Sequence, residues 1–130
     1  MSIVVNNREL KMMERDANEI CHQTTLPMCY YDDSGWQPGV DSTSTGWSSF
    51  KDYYCNINEI NELNIKKYPY GNISEGDLVL LIPKNTELPT DKSKYKVKYN
   101  NKEYVSKTGL NKSEMIRDTF LHYVLVCELS

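Results

Sequence analysis

The run Gly76-Asp77-Leu78-Val79-Leu80-Leu81-Ile82-Pro83 restricts the fold of this chain more than any other. Apolar residues follow one another without a polar interruption between a Gly-Asp turn and a proline. Such a segment has no face to offer water, so it reads as a strand covered on both sides. After a Pro-bearing loop from Lys84 to Asp91 the pattern changes to strict alternation. Tyr95, Val97 and Tyr99 share one face and Lys94, Lys96 and Lys98 the other, the period of a half-buried strand. Asn100-Asn101 tolerates positive φ and lets the chain reverse into Lys102-Glu103-Tyr104-Val105, which predicts a hairpin. No residue of the stretch carries catalytic chemistry, which favours a scaffold over an enzyme.

Upstream, Asn6 with Glu9 three residues on resembles a capping box. Leu10, Met13, Ala17, Ile20 and Cys21 then recur at helical spacing. The helix is expected to end between His22 and Thr25, because Pro27 disfavours helical backbone before it. Met28 to Tyr31 is the first strand candidate. From Asp32 to Ser49 there is neither a two- nor a 3.6-residue period, and the segment reads as a long loop of Gly, Ser, Thr, Asp and Pro. Loops of this length inside compact domains usually have a job. Trp36 and Trp47 lie near its ends; a free surface gains little from two indoles, so at least one docks on a partner or on the body of the domain. Phe50 to Ile57 alternates as a strand, and Ile60 and Leu63 are spaced for a short helical turn. Lys107 to Arg117 reads as an exposed polar excursion. In the last segment Phe120, His122, Val124 and Val126 oppose Leu121, Tyr123, Leu125, Cys127 and Leu129, which predicts a strand covered on both faces.

At 130 residues the chain suits one domain. The expected division is a helix within 1–25, the long loop at 32–49 and a barrel body at 50–129. No window approaches the roughly 18–20 apolar residues of a membrane span. Met1-Ser2-Ile3-Val4-Val5 lacks the basic start of a secretory signal, so a cytosolic product is expected. The four cysteines, Cys21, Cys29, Cys55 and Cys127, are irregularly spaced and are expected as free, mostly buried thiols. Residues 1–65 carry 4 basic and 10 acidic side chains and residues 66–130 carry 11 and 8, so a net charge of minus 6 faces one of plus 3. Head-to-tail association of copies is one use of such asymmetry, and uneven solvated charge is the other reading. The balance does not suit a dedicated duplex binder.

Chemical motifs are few. Cys21-His22 with Cys29 and Cys55 contains no Cys-x-x-Cys knuckle, and adjacent ligands on a helix point apart, so no metal site is assigned. Asp32, Asp33 and Asp41 lack the alternating ligands and closing Glu of a helical calcium loop. There is no phosphate-cradling glycine loop, nucleophile elbow or His-Glu-x-x-His helix. Glu59 and Glu62 read as a solvated face. No catalytic or cofactor-binding residue is assigned, and the chain is expected not to be an enzyme. The tyrosines would suit a base-stacking platform, but Tyr95 and Tyr99 oppose Lys94, Lys96 and Lys98, and a core face cannot also stack bases.

The expected fold is mainly β: a small β-barrel or curled antiparallel sheet with an N-terminal α-helix and a long loop between the first strands. Any strand edges left open would be covered in part by neighbouring copies. The order of elements, with the strand and turn from Phe50 to Leu63, the Gly76–Pro83 strand, the Tyr95–Val105 hairpin and the terminal strand Tyr123–Cys127, resembles the head-closure, or stopper, proteins of tailed bacteriophages. The resemblance covers residues 50–129, rests on pattern and spacing, and departs from the family at Asn100-Asn101, where an Asp-Gly or Asn-Gly reversal is common.

What this resemblance implies is a ring-forming subunit of the head-tail connector, or neck, of a virion assembled in the bacterial cytoplasm. A portal or adaptor protein would lie on the head side and a tail-terminator or tail-completion protein on the tail side. Packaged double-stranded DNA would pass through without sequence-specific contacts, and no membrane or cofactor is involved. In such proteins the long loop constricts the channel, which marks Trp36, Asp41, Ser42, Thr43, Ser44, Thr45, Gly46 and Trp47 as the candidate channel-loop and interface residues. The alternatives are another neck or tail-completion subunit, or a small barrel that binds nucleic acid or a metal.

Overall fold

The computed structural model describes residues 6–32, 46–67, 73–113, 115–116 and 118–130. One helix, α1 (Asn7–Cys21), precedes β1 (Thr24–Asp32), β2 (Gly46–Trp47), β3 (Lys51–Glu59), β4 (Leu78–Pro83), β5 (Tyr95–Tyr99), β6 (Lys102–Ser106), β7 (Asn111–Lys112) and β8 (His122–Leu129). Six strands pair antiparallel in the circular order β1-β3-β4-β8-β6-β5, and β5 returns to β1 to close the barrel. β2 extends from β1 and β7 from β8. The fold is therefore the small β-barrel with an N-terminal helix expected from the pattern.

Strand β4 shows why its sequence is apolar throughout. It is hydrogen-bonded on both edges, Leu80 facing Ile57 of β3 and Leu125 of β8. Leu78, Leu80 and Ile82 turn inward to a core shared with Met28, Tyr95 and Val97. Val79 turns outward with Val124 and Val126 of β8 onto Ile60, where Ile65, Ile73 and Leu81 pack against them. A side chain of either parity thus meets apolar partners, and the same holds for β8. Hairpin β5–β6 has the predicted faces, with Tyr95 and Val97 buried and Lys98 exposed. Its turn places Asn100 at φ 54° and Asn101 at φ 62°, the successive positive angles of a type I′ reversal.

Closure comes from β1. Met28 pairs at once with Lys51 of β3 and Val97 of β5. The β5 ladder runs from Met28 to Tyr30 only. Pro27 supplies no N–H, and beyond it the strands part around an open groove of about 540 Å³ lined by Leu26, Pro27, Lys98, Tyr99 and the Asn100–Asn101 turn. β1 begins at Thr24, earlier than the expected Met28, and passes through the proline. Strand residues upstream of residue 50 therefore belong to the barrel wall. Because the sheet closes, each of the six barrel strands has a neighbour on both sides, and open strand edges among the described residues lie at β2, β7 and strand ends.

The helix starts as its sequence indicates. The Asn6 side chain accepts from the Glu9 backbone N–H at 2.8 Å and donates to the Glu9 carboxylate at 3.1 Å. Ala17 and Cys21 are its buried positions, and α1 rests against β3, β4 and β8. It ends at Cys21, where His22 donates its backbone N–H to Glu19 and its Nδ1–H, at 2.6 Å, to the Asn18 carbonyl.

Two further expectations change. The short helical turn expected around Ile60 and Leu63 lies slightly later: β3 runs on to Glu59, Ile60 is 3% exposed, Leu63 is 89% exposed, and the chain then turns from Asn61 into a 3-10 helix at Ile65–Lys67. Spacing alone could not show that the backbone between them is a turn capped by the Asn61 side chain, which accepts from the N–H groups of Leu63 and Asn64. The segment after β6 is not simply an exposed excursion. Lys107 Nζ meets the buried Asp77 carboxylate at 2.7 Å, and Leu110 packs on the core. A Cβ on Gly109 would come within 2.9 Å of the Lys92 carbonyl, so the chain can pass there only as glycine.

Candidate interaction face

The described candidate residues gather where β2 joins β1. Asp32 pairs with Gly46 and Tyr31 with Trp47, so the two ends of the segment 33–45 are held side by side on the barrel wall. Gly46 adopts φ 112°, and a Cβ there would stand 2.9 Å from the Tyr31 ring. Glycine is required by both the backbone angle and the ring packed on it. Trp47 meets Tyr31 edge-on at 5.5 Å and remains 37% exposed, so it docks on the body of its own domain while keeping one face outward. Ser48 continues the anchor: its N–H donates to the Tyr30 carbonyl at 2.8 Å and its Oγ accepts from the Tyr30 N–H at 3.1 Å. Trp36, Asp41, Ser42, Thr43, Ser44 and Thr45 lie outside the described residues.

Around this anchor lysines stand on aromatic rings. Lys96 Nζ lies 4.2 Å from the Trp47 ring centre and Lys98 Nζ 4.2 Å from that of Phe50. Lys92 Nζ sits 5.6 Å over Tyr30 and 3.4 Å from Asp32. Lys96 also reaches Glu103 at 3.4 Å. Each cation–π contact at a surface of this kind contributes about 0.5–1 kcal/mol. Together they hold flexible ammonium groups upright in a row. The alternation of Lys94, Lys96 and Lys98 signalled the row. The rings beneath it come from β2 and from the residue before β3, which no local pattern could reveal.

The thiols occupy a different region. All four cysteines are free and buried, as expected. Burial pushes the Cys21 thiol up to about 11 and Cys55 up to about 12, the latter raised further by Cys21 nearby. Cys127 is raised more strongly, by burial first and then by Asp77 and Cys55. Cys29 is raised by burial, partly offset by Lys96. At neutral pH all four are protonated, so none is poised as a nucleophile or ligand. Among the described residues no group of three or more His, Cys, Asp or Glu side chains is arranged to hold a metal ion.

The arrangement is a surface on which the two ends of residues 33–45 are flanked by a lysine row. Comparison with protein-family models, curated proteins and solved structures returned no match.

Proposed function

We propose that this chain is a structural, non-catalytic ring subunit of the neck of a tailed bacteriophage. It would dock below the portal or adaptor, join head to tail, and help retain packaged DNA by constricting the channel with the segment between β1 and β2. The observation that carries the reading is the β1–β2 anchor. Asp32–Gly46 pairing holds the two ends of residues 33–45 side by side on a closed barrel, so every subunit of a ring would present that segment at the same place. The resemblance in element order supports the same role. The segment 33–45 contains Asp33 and Asp41 and no lysine or arginine, as suits a channel in which DNA must slide without being gripped.

A second reading, a barrel that binds single-stranded nucleic acid, draws on the lysine row. It is disfavoured because the Trp47 and Phe50 faces on which bases would stack are taken by Lys96 and Lys98.

Deleting Ser42–Thr45 tests the loop while sparing Gly46 and its contact with Tyr31. Virions carrying the deletion are expected to assemble complete necks and lose packaged DNA on storage, read as the ratio of empty to filled heads. Retention equal to that of the undeleted protein would remove the gating role.

A further inference from the structure

Barrel closure leaves only short open strand edges among the described residues, at β2, β7 and strand ends, and two exposed faces on opposite walls complement each other. On α1, residues 9, 12, 16, 19 and 20 fall on one side when successive residues turn by about 100°. They are Glu9, Met12, Asp16, Glu19 and Ile20, all exposed, with Met12 at 47% and Ile20 at 44%. Arg8, Lys11 and Arg15 border the strip and line one open groove with Asn7 and Met12. The Asp16–Arg15 contact is long, at 3.9 Å, and solvated, so it costs little to exchange. The strip therefore carries three carboxylates around two half-exposed apolar side chains.

The opposite wall carries the reverse. Lys94, Lys96 and Lys98 project from β5 and its approach, with Trp47 and Phe50 beneath the last two and Glu103 beside Lys96. Helix α1 rests on β3, β4 and β8, whereas this row belongs to the β1–β5 side of the barrel. The lengths are similar: from Glu9 to Ile20 the helix rises about 16 Å, and from Lys94 to Lys98 the strand rises about 14 Å.

We infer that the acidic strip of α1 docks on the lysine row of a second copy of this chain. The contact is heterologous, one wall meeting a different wall, so it propagates from copy to copy and closes when the rotation permits. This rests on the ring reading given above and specifies its interface. The aromatic rings preorganise the ammonium groups, and Met12 and Ile20 lose their exposed area against Trp47 and the lysine stems.

The test uses two full-length variants altered only at exposed positions. Lys94→Glu with Lys98→Glu makes both walls acidic, and Asp16→Lys with Glu19→Lys makes both basic. Each alone is expected to self-associate about 100-fold more weakly than the unaltered protein, since like charges then face each other. An equimolar mixture restores assembly, with the two variants alternating. Sedimentation velocity at low ionic strength reads both variants, their mixture and the unaltered protein. Assembly of either variant alone at unaltered strength, or a mixture that stays dissociated, overturns this interface while leaving the ring reading standing. An unaltered protein that forms no oligomer at all overturns both.

Discussion

Tyr95→Ala is expected to lower the stability of the chain by about 3–5 kcal/mol. Tyr95 is fully buried among Met28, Val97, Leu80 and Leu125, and among the described residues it is the largest side chain so enclosed. Its ring fills the barrel centre, and a rigid wall of paired strands cannot collapse onto the void. Its phenol also works: the hydroxyl donates to the Pro89 carbonyl at 2.5 Å and accepts from the Lys92 N–H at 3.3 Å, holding the β4–β5 connection over one end of the barrel. Tyr95→Phe keeps the ring and removes only these bonds, at a cost of about 1–2 kcal/mol. Urea unfolding separates the two. A Phe variant as damaged as the Ala variant would place the stabilisation in the hydroxyl, and an Ala variant within 1 kcal/mol of the original would show that the core relaxes.

Alkaline pH should act on the same core. Cys21, Cys55 and Cys127 titrate near 9 in an unfolded chain and well above it when folded, because burial opposes the thiolate. A raised folded pKa gives a contribution that is complete below the unfolded value and is lost as pH rises toward the folded one. Above pH 9 the unfolded chain has released protons that the folded chain retains, so stability falls with pH. Each thiol contributes a slope of about 1.4 kcal/mol per pH unit, and the three together about 4. Tyr95, pushed up to about 12 chiefly by burial, adds to the loss above pH 10. Unfolding in urea under reducing conditions between pH 8 and 10.5 should show a flat region followed by a steep fall. Cys127→Ala should reduce the slope by about a third. A stability unchanged to pH 10.5 would contradict the burial of these thiols.

Strand β4, hairpin β5–β6 and strand β8 were legible because their side-chain parity records which faces are covered, and covered faces leave a compositional trace. The turn at Asn100-Asn101 was legible because few residue pairs accept two positive φ angles. Parity does not name partners, however. Nothing local in Met28 announces that it pairs with β3 and β5 together, so closure of the barrel was visible only as one of two outcomes. Pro27 marked the end of the helix but did not show that β1 already runs from Thr24 through it, pairing with β3 before β5 joins at Met28. Ile60 and Leu63 show the same limit, since spacing suits many backbones and only the Asn61 cap decides among them. At the interaction face the lysine row was in the sequence, whereas its aromatic bed, Trp47 and Phe50, comes from a distant stretch just before β3. The Asp32–Gly46 pairing that plants the loop is likewise a contact between distant residues.

Negative-stain imaging of the purified, unaltered chain across a concentration series at low ionic strength bears most directly on the proposed role. Closed annular particles with a central opening, one barrel thick, are the predicted result. A chain that remains a single barrel at every concentration would contradict it.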